Sequence, residues 1–475
     1  MKKSFIASVA SFSVPTLVSA FVAVFCIPLV SYLVPAGDFA VINLFFDYGV
    51  LFALLCQLGS GEAFIRFYNE ADDRSKRRLF SLSLLIGLVL VVLLGVIVSV
   101  FFPKGASRIL FGQEDPKLLI LLTLYVVGVL LYKFTSYRCR MDENARQYNI
   151  EQILYIIINR VAYVVPFLLV GGALSAVFFM TSLTLAMGII ALMKEPKPVL
   201  VVGGSGSGRI LSRLIRYGLP MTFLAASTNA LITLNKVILA NMASFDDAGV
   251  FALSLTIANC FSLIPAAFNV YWATYVYKNH DEKQDEIRRM HDCVMALTLV
   301  IVAVIFLLQN VIFFFVGSQY EASQKYFMLV MMLPIQSFIA ETTSYGINLS
   351  TKTYINALVI VVALAVDVLL CILLIPHMQA MGAAIALAVG SITMLVLRSV
   401  FAQRFYRTIS HPVKSAAGMT LIIALCAANC LWDWGMFERF LITATFLVFA
   451  LALYRGDFCF MTSYLRNALR RSRVE

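Results

Sequence analysis

Apolar residues run through this chain in blocks of about twenty, each closed by a short cluster of charge, proline or glycine. A bilayer core of roughly 30 Å takes about 20 apolar residues of α-helix. The blocks therefore predict about fourteen spans, at 9–34, 39–65, 80–102, 118–137, 148–170, 174–193, 215–241, 248–275, 293–315, 326–349, 354–375, 381–402, 413–431 and 440–454. The last is the shortest. Strands are excluded, because so long an apolar run satisfies its own backbone in lipid only as a helix. The expected class is an all-α polytopic membrane protein.

Composition points the same way. Of 475 residues, 13% are charged and 61% hydrophobic, against about 25% charged in a soluble domain. Too few charges remain to coat soluble surfaces of this size, which excludes a soluble enzyme. A disordered chain would be far less apolar. The 37 Lys and Arg residues are distributed unevenly. With the N-terminus in the cytoplasm, 29 fall in inner segments, only Lys104, Arg108, Lys117, Lys325 and Arg439 lie outside, and Arg160, Lys236 and Arg398 fall within spans. This positive-inside bias predicts cytoplasmic N- and C-termini. The net charge of +11 is then mostly an orientation signal facing anionic lipid, with no nucleic acid needed.

The opening MKKSFIASVASFSVPTLVSA imitates a secretory signal, but its apolar run continues past Ala20 and contains Pro15 and Pro28, so it reads as an uncleaved first span. The nine cysteines lie mostly in separate spans, with Cys426 and Cys430 the one pair at i,i+4 spacing. There is no CxxC and no HExxH, and His280, His291, His377 and His411 are scattered, so neither a metal site, a cofactor nor a disulfide framework is expected.

Residues 194–218, KEPKPVLVVGGSGSGRILSRLIRYG, hold a glycine-serine run that lacks the Lys-Ser/Thr of a phosphate loop and reads as a flexible linker. Arg209, Arg213 and Arg216 after it share one helical face. The segment follows six spans and looks like a hinge. The organisation expected is an N-terminal six-helix bundle over 1–193, a cytoplasmic linker over 194–216, a C-terminal six-helix bundle over 217–403, and two further helices with a basic tail over 404–475.

An internal repeat supports two related bundles. SVPTLVSAF at Ser13 and GLPMTFLAA at Gly218 each put proline near the start of a long span, and each span ends in an acidic loop, PAGDFAVINL at Pro35 and FDDAGVFAL at Phe245. AFIRFYNE at Ala63 likewise matches ATYVYKN at Ala273. Six spans separate the copies, so both have the same membrane orientation. That predicts two six-helix bundles related by a pseudo-two-fold axis along the membrane normal, enclosing a cavity that opens to either side by rocking.

Arg-Tyr-Gly-Leu-Pro at 216–220, Asn-Lys-Val-Ile-Leu at 235–239, Asp-Asp-Ala-Gly-Val-Phe at 246–251 and GSGEAFIRFYNEADDRSKRRLFSLSLL at 59–85 carry a family resemblance. The chain resembles the polysaccharide-biosynthesis transporters, the Wzx-type O-antigen flippases of the multidrug/oligosaccharidyl-lipid/polysaccharide exporter superfamily. The resemblance implies a MATE-like fold and a non-enzyme of the bacterial inner (cytoplasmic) membrane. Its activity would be transfer of an undecaprenyl-diphosphate-linked oligosaccharide from the cytoplasmic to the periplasmic leaflet, beside a polysaccharide polymerase and glycosyltransferases. Asn235 stands where many relatives have Asp before a basic residue, which weakens any ion-coupling role there.

Ionisable residues within spans carry the candidate chemistry, since each costs about 2.5–3.5 kcal/mol at mid-bilayer on insertion scales. Arg160 lies midway along the fifth span and Lys236 near the outer end of the seventh, close enough to the headgroups to snorkel. In the functional reading both line a cationic cavity for a diphosphate, which an Arg fork matches bidentately. Asn159, Asn229, Asn235 and Gln57 would then hydrogen-bond sugar hydroxyls. Asp47, Glu341 and Asp367 are candidates for H+ or Na+ coupling or for counter-ions, and permanent pairing of Arg160 with one of them is the structural alternative. Arg398 reads as a snorkelling anchor. Pro28, Pro166, Pro265 and Pro334 are expected to break the helical ladder within their spans. A cation-coupled multidrug exporter of the same architecture is the rival reading; a membrane glycosyltransferase or polymerase would want a longer outer loop than 103–117.

Overall fold

The computed structural model describes every residue except 1, 71, 195–206, 351, 353, 433 and 472–475. Most of the glycine-serine run of the linker therefore lies outside the described residues. The described chain is helical, in the order α1 (Lys2–Leu33), α2 (Ala36–Cys56), α3 (Ser60–Phe67), α4 (Asp73–Phe101), α5 (Pro103–Phe111), α6 (Pro116–Met141), α7 (Ala145–Ile157), α8 (Val164–Val170), α9 (Gly172–Met193) and α10 (Ser207–Met242). It continues with α11 (Phe245–Cys260), α12 (Leu263–Asn279), α13 (Gln284–Phe314), α14 (Phe327–Val330), α15 (Met332–Thr343), α16 (Tyr345–Leu349), α17 (Tyr354–Phe405), α18 (Pro412–Leu431) and α19 (Met436–Arg471).

Twelve helices among the described residues are long and apolar enough to cross a membrane, or thirteen if the segment 318–343, bent by 67°, is one span. The protein is a multi-pass membrane protein. The difference from fourteen sits largely in α17, whose 52 residues would reach about 78 Å, more than twice the hydrocarbon thickness. It leaves helical geometry at Gln379 (φ 48°, ψ −128°), between the two spans read from sequence. The final span, expected to end at residue 454, continues as α19 beyond a break in helical geometry at Tyr454 (φ −115°, ψ 24°), and past that break Asp457 pairs with Lys414 of α18, 2.5 Å away.

Three of the four span prolines act where their chemistry requires. Proline supplies no N–H to the carbonyl four residues earlier and crowds it. Pro166 leaves Ala162, the last residue of a π-helical stretch over Ile158–Ala162 between α7 and α8. Pro334 leaves Val330, where α14 ends, and Pro265 leaves Phe261, just past the end of α11. Pro28 does not break its span: α1 continues through it to Leu33.

Contacts divide the chain into two compact units, 1–252 and 253–475. In the first, α6 packs most extensively on α9 and α4, while α10 lies against α2, α3 and α4. Small residues set these distances: a Cβ on Gly188 would lie 2.8 Å from the Gly128 carbonyl oxygen, so α6 and α9 meet backbone to backbone. The two acidic loops of the repeat also meet, since a Cβ on Gly37 would lie 2.7 Å from Asp246 Oδ1. Asp38 accepts from the Ala173 amide at 3.0 Å at the start of α9, and Ser244 accepts from the Asp247 amide at 3.0 Å at the start of α11. In the second unit, α13 packs on α19, α15 and α18, and α15 on α17.

Candidate functional site

The site of the first unit is assembled from α2, α6, α10 and the broken span α7–α8. Asn43 and Asp47 are one turn apart on α2 and share a face. Both meet Lys236 of α10, whose ammonium donates to Asn43 Oδ1 at 2.6 Å and pairs with the Asp47 carboxylate. Lys236 is only 4% exposed. Of the two readings of Lys236, cavity lining and snorkelling, the snorkelling one does not describe this conformation, in which the ammonium is held inside the protein by Asp47 and Asn43.

Arg160 lies within the π-helical stretch and is half-buried. No carboxylate stands within 4 Å of it among the described residues; Asp47, one of its expected partners, is engaged by Lys236. Its charge instead acts on Cys26, Tyr155 and Tyr163. The neighbouring Asn159 is buried, accepting from the Tyr125 hydroxyl at 2.6 Å and donating to the Tyr155 carbonyl at 2.8 Å. Tyr155 stacks on Tyr132 at 4.4 Å between centroids, and Phe45 of α2 lies 5.2 Å from Tyr125. Asp47 is within electrostatic reach of Tyr125. The ion pair and the π-helical stretch are therefore parts of one polar region, with formal charges of −1 on Asp47 and +1 each on Lys236 and Arg160.

The remaining expected sugar ligands are spread out. Asn229 and Asn235 each donate to their own helix, at Ala225 O (3.0 Å) and Leu231 O (2.9 Å). Gln57 caps the far end of α2, ten residues beyond Asp47, so about 15 Å of helix separates the two. It precedes Leu58 and Gly59, both at positive φ, where the seventh-span residue Gly218 presses on the chain.

In the second unit, Glu341 of α15 accepts from Asn269 of α12, and Arg398 of α17 lies within its electrostatic reach. Arg398 thus has a carboxylate neighbour within the protein, where sequence suggested an anchor at the headgroups. Asp367 is fully buried on α17, with its Cβ 2.9 Å from where a Cβ on Gly390 would stand. A second buried cluster was not foreseen: Lys414 bridges Asp292 (3.5 Å) and Asp457 (2.5 Å), and His291 lies 2.9 Å from both Thr342 Oγ1 and Ser415 Oγ. Among the described residues, no group of three or more His, Cys, Asp or Glu is placed to hold a metal ion.

At the loop after α3, Glu70 pairs with Arg213 (2.7 Å) and Arg66 (2.5 Å), and these two guanidinium groups hold its carboxyl below the usual range. Arg213 also stacks over Phe67, 3.9 Å from the ring centre. One member of the expected Arg209, Arg213, Arg216 face is therefore fixed to the loop between the second and third spans.

Sequence reasoning missed Asn43, Tyr125 and Tyr155. Asn43 carried a usable signal, four residues before an intramembrane Asp. The tyrosines carried none, since tyrosine is common in apolar helices.

A family model described as "Polysaccharide biosynthesis protein" matches residues 5–270. The structure is similar to that of "Lipid II flippase MurJ" in an inward closed conformation, with 15% identity, 94% of this chain and 98% of that chain covered, and a TM-score of 0.66. It is similar as well to an inward-facing multidrug resistance MATE family transporter of the MOP superfamily, with 13% identity, 87% and 99% covered, and a TM-score of 0.53. At these identities the likeness is one of fold. No curated protein matches the chain in sequence at a significant level.

Proposed function

The chain belongs to the polysaccharide biosynthesis protein family, and on that premise we propose that it is a flippase for a lipid-linked glycan. It carries an undecaprenyl-diphosphate-linked oligosaccharide from the cytoplasmic to the periplasmic leaflet of the bacterial inner membrane, for an O-antigen-like surface polysaccharide. It works by alternating access between bundles 1–193 and 217–403, joined by the 194–216 linker, with both termini cytoplasmic and without hydrolysing ATP. It makes or breaks no covalent bond in its substrate.

One observation carries this reading. Arg160 is an intramembrane cation with no carboxylate within ion-pair distance among the described residues, while Lys236 is neutralised by Asp47. A diphosphate entering this region supplies the anion that Arg160 lacks, and guanidinium forks bind phosphate oxygens in parallel pairs. The polyprenyl tail stays in lipid, so only the headgroup needs a polar path. A cationic drug would instead meet a site of net positive charge.

The test is Arg160→Ala, expressed at the normal level, with surface polysaccharide as readout. Export falls to background, and Arg160→Lys restores part of it by keeping the charge without the fork. Full export by Arg160→Ala would overturn the proposal.

A further inference from the structure

Glu151 is a buried intramembrane carboxyl group that the flippase reading leaves unused. It lies on α7 and is 5% exposed. Its three hydrogen-bond neighbours are neutral: Gln147 Nε2 at 3.0 Å and Cys139 Sγ at 3.9 Å face Oε1, and Thr135 Oγ1 lies 3.3 Å from Oε2. Among the described residues no cation stands within 4 Å. An ionised carboxylate so placed is costly, because neutral donors replace only part of its hydration.

The directions of these hydrogen bonds tell more than their number. Asn144 Oδ1 accepts from the Gln147 amide at 3.2 Å, which leaves Asn144 Nδ2 to donate to Gln147 Oε1 at 3.3 Å. Gln147 therefore presents its Nε2 to Glu151, and Oε1 is an acceptor. Thr135 is fully buried, and its hydroxyl has one proton. That proton has a better acceptor in the Tyr132 carbonyl at 2.8 Å, with the Leu131 carbonyl at 3.1 Å beside it. Toward Glu151 Oε2 the Thr135 oxygen then offers lone pairs. A hydrogen on Glu151 Oε2 turns this 3.3 Å approach from a meeting of lone pairs into a hydrogen bond.

We infer that Glu151 is a proton-binding residue, carrying its proton on Oε2 in this conformation and donating it to Thr135 Oγ1. The groups facing it are Tyr132 and Cys139 from α6 and, beyond ion-pair distance, Lys194 after α9. The described side chains of α1, packed along α7, include no charged group. Glu151 sits seven residues past Asn144, about 10 Å of helix from the loop before α7, so water on that side can reach it when the helices part. Loss of the proton sets a carboxylate against the lone pairs of Thr135 and favours separation of α7 from α6. Arg160 follows on the same span. One proton bound from water on one side and returned on the other, with no bond changed but O–H, thereby couples the broken span to a proton gradient. This coupling role rests on the flippase reading; the protonation itself does not.

The two are tested separately on the full-length protein in lipid vesicles. Infrared spectroscopy at neutral pH is expected to show a protonated carboxyl band that shifts in D2O and is missing in Glu151→Gln, a variant that keeps the donor toward Thr135 and hence the packing. Thr135→Val, which removes the acceptor, is expected to make the Glu151 band disappear at lower pH than in the parent. A spectrum identical in the parent and Glu151→Gln would overturn the inference, whatever the substrate. In vesicles carrying lipid-linked oligosaccharide, Glu151→Gln is expected to lose the acceleration given by an imposed pH gradient. Unchanged acceleration would overturn the coupling role. An Arg160→Ala protein that keeps the band and still moves glycan fully would overturn the flippase site while leaving the protonation of Glu151 standing.

Discussion

Lys236 of α10 and Asp47 of α2 form a buried ion pair, and the same ammonium donates to Asn43 at 2.6 Å. Each charge is stabilised mainly by the other, so the pair ties the seventh span to the second.

Removing one partner strands the other in a low-dielectric site. Lys236→Met and Asp47→Leu are each expected to destabilise the protein by about 3–5 kcal/mol, and the double variant to recover most of that loss. Thermal unfolding of the four proteins in one detergent measures the cycle. Additive losses would mean that the pair does not interact energetically.

Pro166→Ala returns an N–H to the Ala162 carbonyl and removes the steric reason for the π-helical stretch. Re-forming a regular helix there turns side chains by about 100° per residue of register. Arg160 is then carried off its present direction. Stability is expected to hold or rise while polysaccharide export falls; full export would show that the stretch is only a static kink.

Glycines at close approaches should tolerate no side chain. Gly59 (φ 66°) has the Gly218 Cα 2.6 Å from where its Cβ would stand, so Gly59→Ala is expected to cost about 1–3 kcal/mol and to lower folded yield. Gly105 in α5 has nothing within 4 Å, and Gly105→Ala is expected to stabilise by about 0.5–1 kcal/mol. Melting temperatures of the two variants against the parent give the sign of each.

The Glu70 carboxyl is held below its ordinary range, so the contribution of its ion pairs is complete above the unfolded carboxylate range, about pH 4.3. It disappears as pH falls through the folded-state value. Arg213→Ala should therefore reduce stability slightly at neutral pH and not at all in strong acid. High salt should shrink the neutral-pH difference, because the group is solvent-exposed.

Much of the fold was legible because the bilayer demands it. Apolar length predicts each helix, and the missing N–H of Pro166, Pro265 and Pro334 predicts where spans break. Pro28 shows the limit: its ring is accommodated inside α1, and whether a helix bends around proline or breaks depends on what packs against it. Arg160, Lys236 and Asp47 were all identified from sequence as intramembrane charges, but their pairing was not.

A many-span helical membrane protein of a polysaccharide-transporter family is readable from the residues alone, since length, apolarity and motif are properties of single segments. That Asp47 answers Lys236, that Asn159 is occupied by Tyr125, and that Glu151 is buried among neutral partners became visible only in the folded chain. Those facts depend on which helix faces meet. Charge type and span position leave that open, because in an apolar helix every face is nearly equally hydrophobic and the pattern does not tell lipid from protein.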